Sequence, residues 1–363
     1  MKYSPISSWV KGNKSLPLIA GPCSAESEKQ VMDTGRQLAA FFPNSIFRAG
    51  LWKARTSPGS FEGVGKKGLI WLKNLKQETG LPLATEVANP KQVEACLKYG
   101  IDVLWIGART TVNPFYVQEI AEALKGCDVQ VLVKNPVNPE LKLWMGAIER
   151  VSKSGIKEIA AVHRGFHSLV NAPYRNQPHW ELFIDLKMQM PGLPVFCDPS
   201  HIGGKRNLIA EISQKALDLS ADGLMIESHV NPSMALSDAE QQLTPLDLSA
   251  LIAALEIRYP ESGKAIFDQQ LDLLREKINR ADEELLRSLA NRMETVRQIG
   301  EKKKEEAVTI LQIERWKEII SSRLHSGNHM GLHPEFVHRL YLLIHEEAIR
   351  LQAEIMNQKE KEV

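Results

Sequence analysis

Four side chains that can bind metals or hold protons follow short apolar runs in this sequence. Cys23 follows an apolar run near the N-terminus, His201 and Glu227 follow two later ones, and Asp238 lies in the loop beyond. This pattern is expected where a buried parallel strand delivers its tip into a site. One thiolate, one imidazole and two carboxylates suit a borderline divalent metal such as Mn, Fe, Co or Zn. One such residue alone is more often structural, but four at strand ends predict a metal site.

Basic residues also lie at or just past the ends of the apolar runs. They are Arg48, Lys53, Arg55, Arg109, Lys134 and Arg164, with the carboxylate Glu86 among them. The whole chain has 45 basic and 44 acidic residues, so the excess of positive charge is local. It predicts a site for strongly anionic ligands that carry more than one phosphate. The net charge of +1 argues against binding to nucleic acid or to a membrane surface.

Eight apolar, strand-like runs alternate with helix-period segments. The runs are Leu16–Ala20, Ser45–Ala49, Leu83–Val87, Val103–Ile106, Val129–Lys134, Ile156–Val162, Leu193–Asp198 and Gly223–Ser228. The helical segments include 28–42, 66–78, 90–98, 114–124 and 141–154. Eight strand and helix alternations over about 250 residues predict an α/β fold, a closed (β/α)8 TIM barrel, with a doubly wound open sheet as the alternative. In a barrel, all strand tips open onto one face, so the polar residues can converge.

The composition changes after the last strand-like region. We expect a barrel at 1–258, a linker at 259–267, a small all-α domain at 268–356 and a charged tail at 357–363. Between Asp268 and Lys304 there is no proline, and apolar residues recur every three or four positions. This helix would be roughly 50 Å long, too long to be covered by two short helices of the same chain, so we expect a homodimer. Further helices are predicted at Leu311–Leu324 and His333–Met356.

The length of the chain bears on its domain organisation, and its apolar runs and cysteines bear on its cellular location. A chain of 363 residues exceeds one typical core, which favours a large domain with an appendage. The first residues contain no signal-peptide-like apolar run, and no later run approaches the roughly 18 apolar residues of a membrane span. The four cysteines form no C-x-x-C pair, which fits a reducing compartment. We expect a cytoplasmic protein without membrane contact.

An ordered set of motifs resembles a known enzyme family over residues 15–258. The motifs are A-G-P-C-S, F-R-A-G, K-A-R-T-S-P, A-T-E-V, I-G-A-R, V-K-N-P, H-R-G-F, D-P-S-H, I-E-S-H and L-S-D-A-E-Q-Q. Together they resemble 3-deoxy-D-arabino-heptulosonate 7-phosphate (DAHP) synthase, in its shorter, type I beta branch. The resemblance implies condensation of phosphoenolpyruvate with erythrose 4-phosphate. It also implies a divalent metal, with Mn2+ favoured over Fe2+, Co2+ and Zn2+.

The resemblance assigns roles to the residues of the barrel. Phosphoenolpyruvate would be held by Arg48, Lys53, Arg109, Lys134 and Arg164, and the metal by Cys23, His201, Glu227 and Asp238. Arg55 and Thr56 would bind the phosphate of the aldose, and Asp198 would face its hydroxyl groups. Glu86 and Lys53 would handle water and protons as catalytic residues.

One motif contains signals for two different aldose substrates. The family's usual Lys-Pro-Arg-Thr is here Lys53-Ala54-Arg55-Thr56, and the related 3-deoxy-octulosonate 8-phosphate synthases carry Lys-Ala-Asn at this place. Ala54 therefore favours arabinose 5-phosphate, whereas Arg55 and Thr56 favour the four-carbon aldose. Since Arg55 and Thr56 would contact the sugar phosphate, erythrose 4-phosphate is the expected substrate and arabinose 5-phosphate the alternative.

The C-terminal helices resemble an all-helical chorismate mutase over residues 268–356. The segments that carry the resemblance are 274–278, 290–292, 299–303, Glu314 and 339–352. By this match, Arg292 would grip a carboxylate of chorismate, and Arg275 would do so from the second subunit. Lys303 and Gln352 would contact the ether oxygen, and Glu314 the hydroxyl.

The helical domain allows two interpretations. It either rearranges chorismate to prephenate, or it serves only as a regulatory and dimerisation module of the barrel. It offers a place for an effector in both cases, and prephenate bound there is the expected inhibitor of the barrel.

Overall fold

Within the part of the chain that the structure describes, eight parallel strands close into a barrel in sequence order. The structure is a computed structural model that describes residues 3–5, 16–53, 61–168, 173–258 and 265–357. The strands are β1 Leu18–Gly21, β2 Ile46–Arg48, β3 Leu83–Val87, β4 Val103–Ile106, β5 Gln130–Lys134, β6 Ile159–His163, β7 Val195–Cys197 and β8 Gly223–Glu227. Because β1 pairs with both β2 and β8, the predicted barrel is confirmed and the open sheet was the wrong alternative.

Helices follow the strands; most cover the outside of the barrel, and the short helices α4 and α8 lie at the carboxyl ends of the strands. They are α1 Glu28–Phe41, α2 Lys67–Thr79, α3 Pro90–Lys98, α4 Ala108–Thr111, α5 Pro114–Ala123, α6 Leu141–Lys153, α7 Trp180–Gln189, α8 Pro199–Gly203, α9 Ile209–Asp218 and α10 Pro245–Ala254. Several begin at a capping side chain that accepts a backbone N–H, as Ser27 does for α1 and Thr244 for α10. Asn89 and Asn113 cap α3 and α5, and each is followed by a proline in the first turn.

Because side chains alternate between the two faces of each strand, the polar residues at the carboxyl ends of the strands point into the barrel. Ile19, Ile46 and Leu132 belong to the small cluster inside the barrel, together with Trp105 and Phe196. Their strand neighbours, such as Phe47 and Val133, pack in the larger layer between strands and helices. With a side-chain period of two, residues two positions after an inward residue also point inward. Arg48, Glu86, Lys134, Asp198 and Glu227 therefore follow inward positions at the carboxyl ends of their strands.

The chain divides into two compact units, Met1–Pro260 and Glu261–Val363. The second consists of α11 Ala265–Glu305, α12 Ile313–His329 and α13 Pro334–Asn357, in agreement with the predicted all-α domain. Helices α11 and α13 pack through Val296, Ala348 and Leu351. None of the helices in the described parts of the chain combines the length and the hydropathy that a membrane-spanning helix needs.

Candidate active sites of the two units

Cys23, Glu227 and Asp238 come together at the mouth of the barrel. Their ligand atoms all lie within 4.8 Å of one another. The Cys23 thiol donates to Oδ2 of Asp238 at 3.2 Å, although the two residues are far apart in sequence. The Cys23 N–H donates to Gln242 Oε1 at 3.0 Å, which ties the end of β1 to the loop that carries Asp238. Three of the four predicted ligands thus form one cluster.

His201, the fourth predicted ligand, lies at the edge of this cluster. Its Nε2 is 3.7 Å from Oε1 of Glu227, and its Nδ1 is 2.8 Å from Oδ2 of Asp198. A carboxylate on one ring nitrogen is the usual partner that orients a metal-binding imidazole through the other. The Ser200 hydroxyl also accepts the N–H of Glu227 at 3.0 Å, so α8 is held against the end of β8.

This donor set fits a divalent cation. Burial, followed by the charge of Glu227, raises the pKa of the Cys23 thiol to about 12. Oε1 of Glu227 is fully buried and accepts no hydrogen bond within the described residues, although it forms an ion pair with Arg48 at 3.2 Å. Although burial alone raises the pKa of Asp238, His201 and Arg175 hold that pKa below its usual range. A cation here would stabilise the thiolate and satisfy the carboxylate oxygen, with release of the thiol proton.

Beside the cluster is a cavity of about 510 Å³ lined by cations. Its basic residues are Lys53, Arg109, Lys134, Arg164 and Arg175. Burial lowers the pKa of Arg164 to about 10, which still leaves its guanidinium charged at neutral pH. Nζ of Lys53 donates to Sγ of Cys23 at 2.9 Å, so this ammonium lies directly against a candidate ligand. Four of the predicted phosphoenolpyruvate-binding residues therefore line one cavity.

Arg48, the fifth of these residues, is fully buried next to Glu227. Its Nη2 lies 3.2 Å from Oε1 of Glu227, and its guanidinium carbon is 4.8 Å from the ring centroid of Trp105. Nε and Nη1 of Arg48 are buried and donate no hydrogen bond within the described residues. Unsatisfied buried donors are costly, so an anionic ligand that accepts from them would be strongly stabilised.

Glu86 is fixed against the indole of Trp105. Trp105 Nε1 donates to Oε2 of Glu86 at 3.0 Å. The other oxygen, Oε1, lies where a side chain at residue 107 would be, since a Cβ on Gly107 would come within 2.0 Å of it. The carboxylate lines the same cavity as Lys53.

Asp198 is buried behind His201 and does not line the cavity. Its Oδ2 contacts Lys134 Nζ at 2.8 Å and His201 Nδ1 at 2.8 Å, and Oδ1 accepts the His201 N–H at 3.1 Å. Although burial alone raises the pKa of Asp198, His201 and then Lys134 hold it well below its usual range. This arrangement differs from the expected contact with the aldose, because both oxygens already have partners. The predicted aldose-phosphate residues Arg55 and Thr56 lie outside the described residues.

Sequence reasoning missed several residues of this site. Arg175 lines the cavity and donates to Asp238, and Gln241 donates to Glu227. Asn135 accepts the Arg164 N–H at 2.7 Å, and Asn176 accepts from the Arg164 guanidinium at 2.8 Å. Asn135 and Gln241 lie inside recognised motifs, V-K-N-P and L-S-D-A-E-Q-Q, which was the signal that could have found them. Arg175 and Asn176 belong to a segment that no recognised motif covers.

In the helical unit, the structure brings three of the predicted residues to the packing face of α11 and α13. Arg292 and Lys303 are eleven positions apart on α11, about three helical turns, so they share a face. A Cβ on Gly300, between them, would come within 3.2 Å of Cγ of Gln352. Nη1 of Arg292 and Oε1 of Gln352 are buried without a hydrogen bond in the described residues. Lys303 Nζ donates to the Ile310 carbonyl at 2.6 Å.

The other two predicted residues, Arg275 and Glu314, are exposed side chains. Arg275 is 64% exposed and pairs with Asp272, and Glu314 is 83% exposed and pairs with Lys317. In a single chain both side chains are thus exposed and paired with a neighbour on their own helix.

An aromatic pair missed by sequence reasoning also adjoins Arg292. The rings of Trp316 and His345 stack with centroids 3.7 Å apart. Burial and then Arg292 lower the pKa of His345, so this imidazole is neutral at pH 7.

Two family models match the chain, one for each unit. The DAHP synthetase I family matches residues 5–257, and chorismate mutase type II matches residues 274–353. The boundary between the matches falls at the division into two compact units.

Individual relatives resemble the barrel. A phospho-2-dehydro-3-deoxyheptonate aldolase of Thermotoga maritima is 32% identical over 232 residues, which are 64% of this chain and 66% of the relative, just under two thirds of its length. A 2-dehydro-3-deoxyphosphooctonate aldolase of Syntrophotalea carbinolica is 30% identical over 65% of this chain and 87% of its own. The crystal structure of the Thermotoga maritima aldolase superposes with a TM-score of 0.60 at 29% identity, covering 66% of this chain and 67% of the other.

Proposed function

Because the chain belongs to the DAHP synthetase I family, we propose that its barrel condenses phosphoenolpyruvate with erythrose 4-phosphate to DAHP and inorganic phosphate. The observation that carries this proposal is the cavity in which five cations lie beside the Cys23, Glu227 and Asp238 cluster. Phosphoenolpyruvate brings a carboxylate and a phosphate, and such a cavity neutralises both. The enzyme is proposed to work in the cytoplasm, which suits its four free cysteines.

Residues of the cavity can assist each step of the proposed condensation. Carbon 3 of phosphoenolpyruvate attacks the aldehyde, water adds at carbon 2, and phosphate leaves. Phosphoenolpyruvate is held in the cavity by Lys53, Arg109, Lys134 and Arg164. The buried Nε and Nη1 of Arg48 donate further hydrogen bonds to it. This fixes the nucleophilic carbon and keeps the phosphate charge neutralised as it leaves.

Proton and water transfer are assigned to Glu86 and Lys53. Both line the cavity, and the indole of Trp105 fixes the carboxylate of Glu86. Although burial alone lowers the pKa of Lys53, Cys23 and then Glu227 raise it, so Lys53 begins as a proton donor. Cys23, His201, Glu227 and Asp238 would hold a divalent ion, with Mn2+ favoured over Fe2+, Co2+ and Zn2+, and the bound ion would supply Lewis-acid polarisation of the aldehyde oxygen.

A comparison of two aldoses tests this function. With phosphoenolpyruvate and Mn2+, we expect kcat/KM for erythrose 4-phosphate to exceed that for arabinose 5-phosphate by at least about 10-fold. Phosphate release and the mass of the sugar acid are the measurements. The opposite preference would assign the barrel to octulosonate synthesis, the alternative suggested by the name of the Syntrophotalea relative. No phosphate release with either sugar would reject the synthase.

The helical unit is proposed to rearrange chorismate to prephenate. The reaction is one pericyclic step, so the enzyme must hold a dicarboxylate in a compact shape and stabilise charge on the ether oxygen. Arg292 is suited to a carboxylate, and Lys303 and Gln352 to the ether oxygen. The buried, unsatisfied Nη1 of Arg292 and Oε1 of Gln352 support a polar ligand there. A purely regulatory helical unit is the alternative.

The same helices are proposed to form a homodimer. The N-terminal part of α11 presents an apolar stripe to solvent, with Leu274 54%, Ile278 60% and Leu285 52% exposed. A stripe of this spacing is typical of a helix that packs against another helix. A second copy of the chain would cover it and would bring Arg275 to the other subunit's pocket.

Prephenate is proposed to inhibit the barrel by binding in the helical unit. At saturating prephenate we expect DAHP synthesis by the full chain to fall by about 5- to 150-fold, the usual range of allosteric coupling. A chain ending after Pro260, at the boundary between the two units, should keep synthesis and lose this inhibition. Initial rates with and without prephenate are the measurement. Equal inhibition of both chains would exclude the helical unit as the effector site.

A further inference from the structure

A chain of hydrogen bonds joins the two carboxylates of the candidate metal cluster. Arg175 Nη1 donates to Oδ1 of Asp238 at 3.0 Å and to Oε1 of Gln241 at 2.7 Å. Nε2 of Gln241 in turn donates to Oε2 of Glu227 at 2.7 Å. One guanidinium and one amide therefore connect carboxylates that come from β8 and from the loop beyond it.

The partners of Gln241 fix the orientation of its amide. A guanidinium can only donate, so Gln241 must present its oxygen to Arg175, and its NH2 group is left for Glu227. The side chain of Gln241 is almost fully buried, at 1% exposure, so solvent offers no competing partner. The amide thus holds one particular oxygen of Glu227.

As a result, each carboxylate has one oxygen that is hydrogen-bonded outside the cluster and one oxygen that faces the other candidate ligands. Oδ2 of Asp238 lies 3.2 Å from Sγ of Cys23, and Oε1 of Glu227 lies 3.7 Å from Nε2 of His201. The oxygens bound by Arg175 and Gln241 are the other two. A cation among the four side chains would meet one oxygen from each acid.

The segment that carries Arg175 is also docked on the turn that carries His201. The N–H of Asn176 donates to Ile202 O at 3.1 Å, and its Nδ2 donates to His201 O at 2.7 Å. Gly204, with φ +69°, makes room for the stem of Arg175, because a Cβ there would lie 2.6 Å from the Cβ of Arg175. This one segment therefore connects the elements that carry His201, Glu227 and Asp238.

We propose that Arg175 and Gln241 are positioning residues that select the ligating oxygens of Asp238 and Glu227 and thereby set the metal affinity of the barrel. The inference rests on the proposed metal site. It assigns a purpose to Gln241, which the proposed chemistry does not use, and a second purpose to Arg175, which is also one of the five cations of the cavity. Partners of metal ligands typically account for 10- to 100-fold in metal affinity.

Titration of the metal-free full chain with Mn2+ tests this role, with free Mn2+ measured by electron paramagnetic resonance. Arg175→Ala and Gln241→Met should each bind Mn2+ about 10- to 100-fold more weakly than the wild type. Methionine is close to glutamine in size, so Gln241→Met removes the hydrogen bonds with little change in packing. Arg175→Lys should be intermediate, because an ammonium replaces the planar fork of donors.

Lys205→Ala is the matched control. Lys205 lines a neighbouring cavity of about 420 Å³ together with Arg175, but no hydrogen bond to either carboxylate is seen in the described residues. This variant should bind Mn2+ like the wild type, which separates local charge from hydrogen bonding. Unchanged thermal unfolding of the metal-free variants reports an intact fold. Wild-type affinity in both Arg175→Ala and Gln241→Met would overturn the proposal, whereas a wild type that binds no Mn2+ would overturn the metal site itself.

Discussion

Cys23→Ser is expected to lower DAHP synthesis on the order of 10³-fold, with chorismate rearrangement by the same chain unchanged. A serine hydroxyl does not ionise near neutral pH and cannot replace the thiolate ligand. Several kcal/mol of Lewis-acid stabilisation at the aldehyde oxygen would be lost, which corresponds to this factor. Initial rates of both reactions, measured on one preparation with added Mn2+, give the result.

The control for Cys23→Ser is Cys96→Ser. Cys96 is as fully buried as Cys23 but belongs to α3, away from the candidate ligands. It should keep both activities, apart from the modest loss of stability that a buried hydroxyl causes. A chelator should reduce the wild type to the level of Cys23→Ser, and Mn2+ should restore only the wild type. Substantial synthesis by a chelated Cys23→Ser protein would remove the metal from the mechanism, and loss of both activities would indicate global damage instead.

Much of the barrel could be predicted because its strands are continuous apolar runs. Strands β3 and β4 match the predicted bounds, and the others differ by a few residues at their ends. A strand buried on both faces must be apolar at nearly every position, so a charged residue at its end is conspicuous. This is why Arg48, Lys134 and Glu227 could be singled out before the barrel was known to close.

The partners of these residues could not be predicted from sequence. The sequence linked Asp198 to the aldose but gave no sign of Lys134, whose ammonium reaches it from β5, two strands away. Trp105 is one apolar residue of a strand in the sequence, yet it lies under Arg48 and donates to Glu86. Arg175 lies in a loop and Gln241 in a single 3-10 turn, Ala239–Gln241, and such short segments have no periodic pattern that marks which polar side chains point inward. Such contacts depend on the closed barrel, which joins residues far apart in the chain.

Lys303→Met and Arg275→Ala are each expected to reduce chorismate rearrangement on the order of 10²- to 10³-fold, the loss of one preorganised donor. DAHP synthesis should be unaffected in both. Lys303 lies on the packing face of α11, whereas Arg275 is exposed in a single chain. If the pocket combines Lys303 of one subunit with Arg275 of the other, a mixed dimer of the two variants contains one pocket with both residues intact and one with neither.

Co-expression of the two variants with different affinity tags, followed by tandem purification, isolates this mixed dimer. Twofold symmetry makes the two pockets equivalent, so the mixed dimer should recover about half of the wild-type mutase rate. Arg280→Ala is the matched control, because Arg280 is also exposed on α11 and pairs with Glu276 one turn away. It should be active by itself. A mixed dimer as inactive as its parents would place Arg275 outside the shared pocket, and full activity of Lys303→Met would remove this ammonium from the proposed mechanism. A wild type that does not rearrange chorismate would leave the helical unit as a regulatory module.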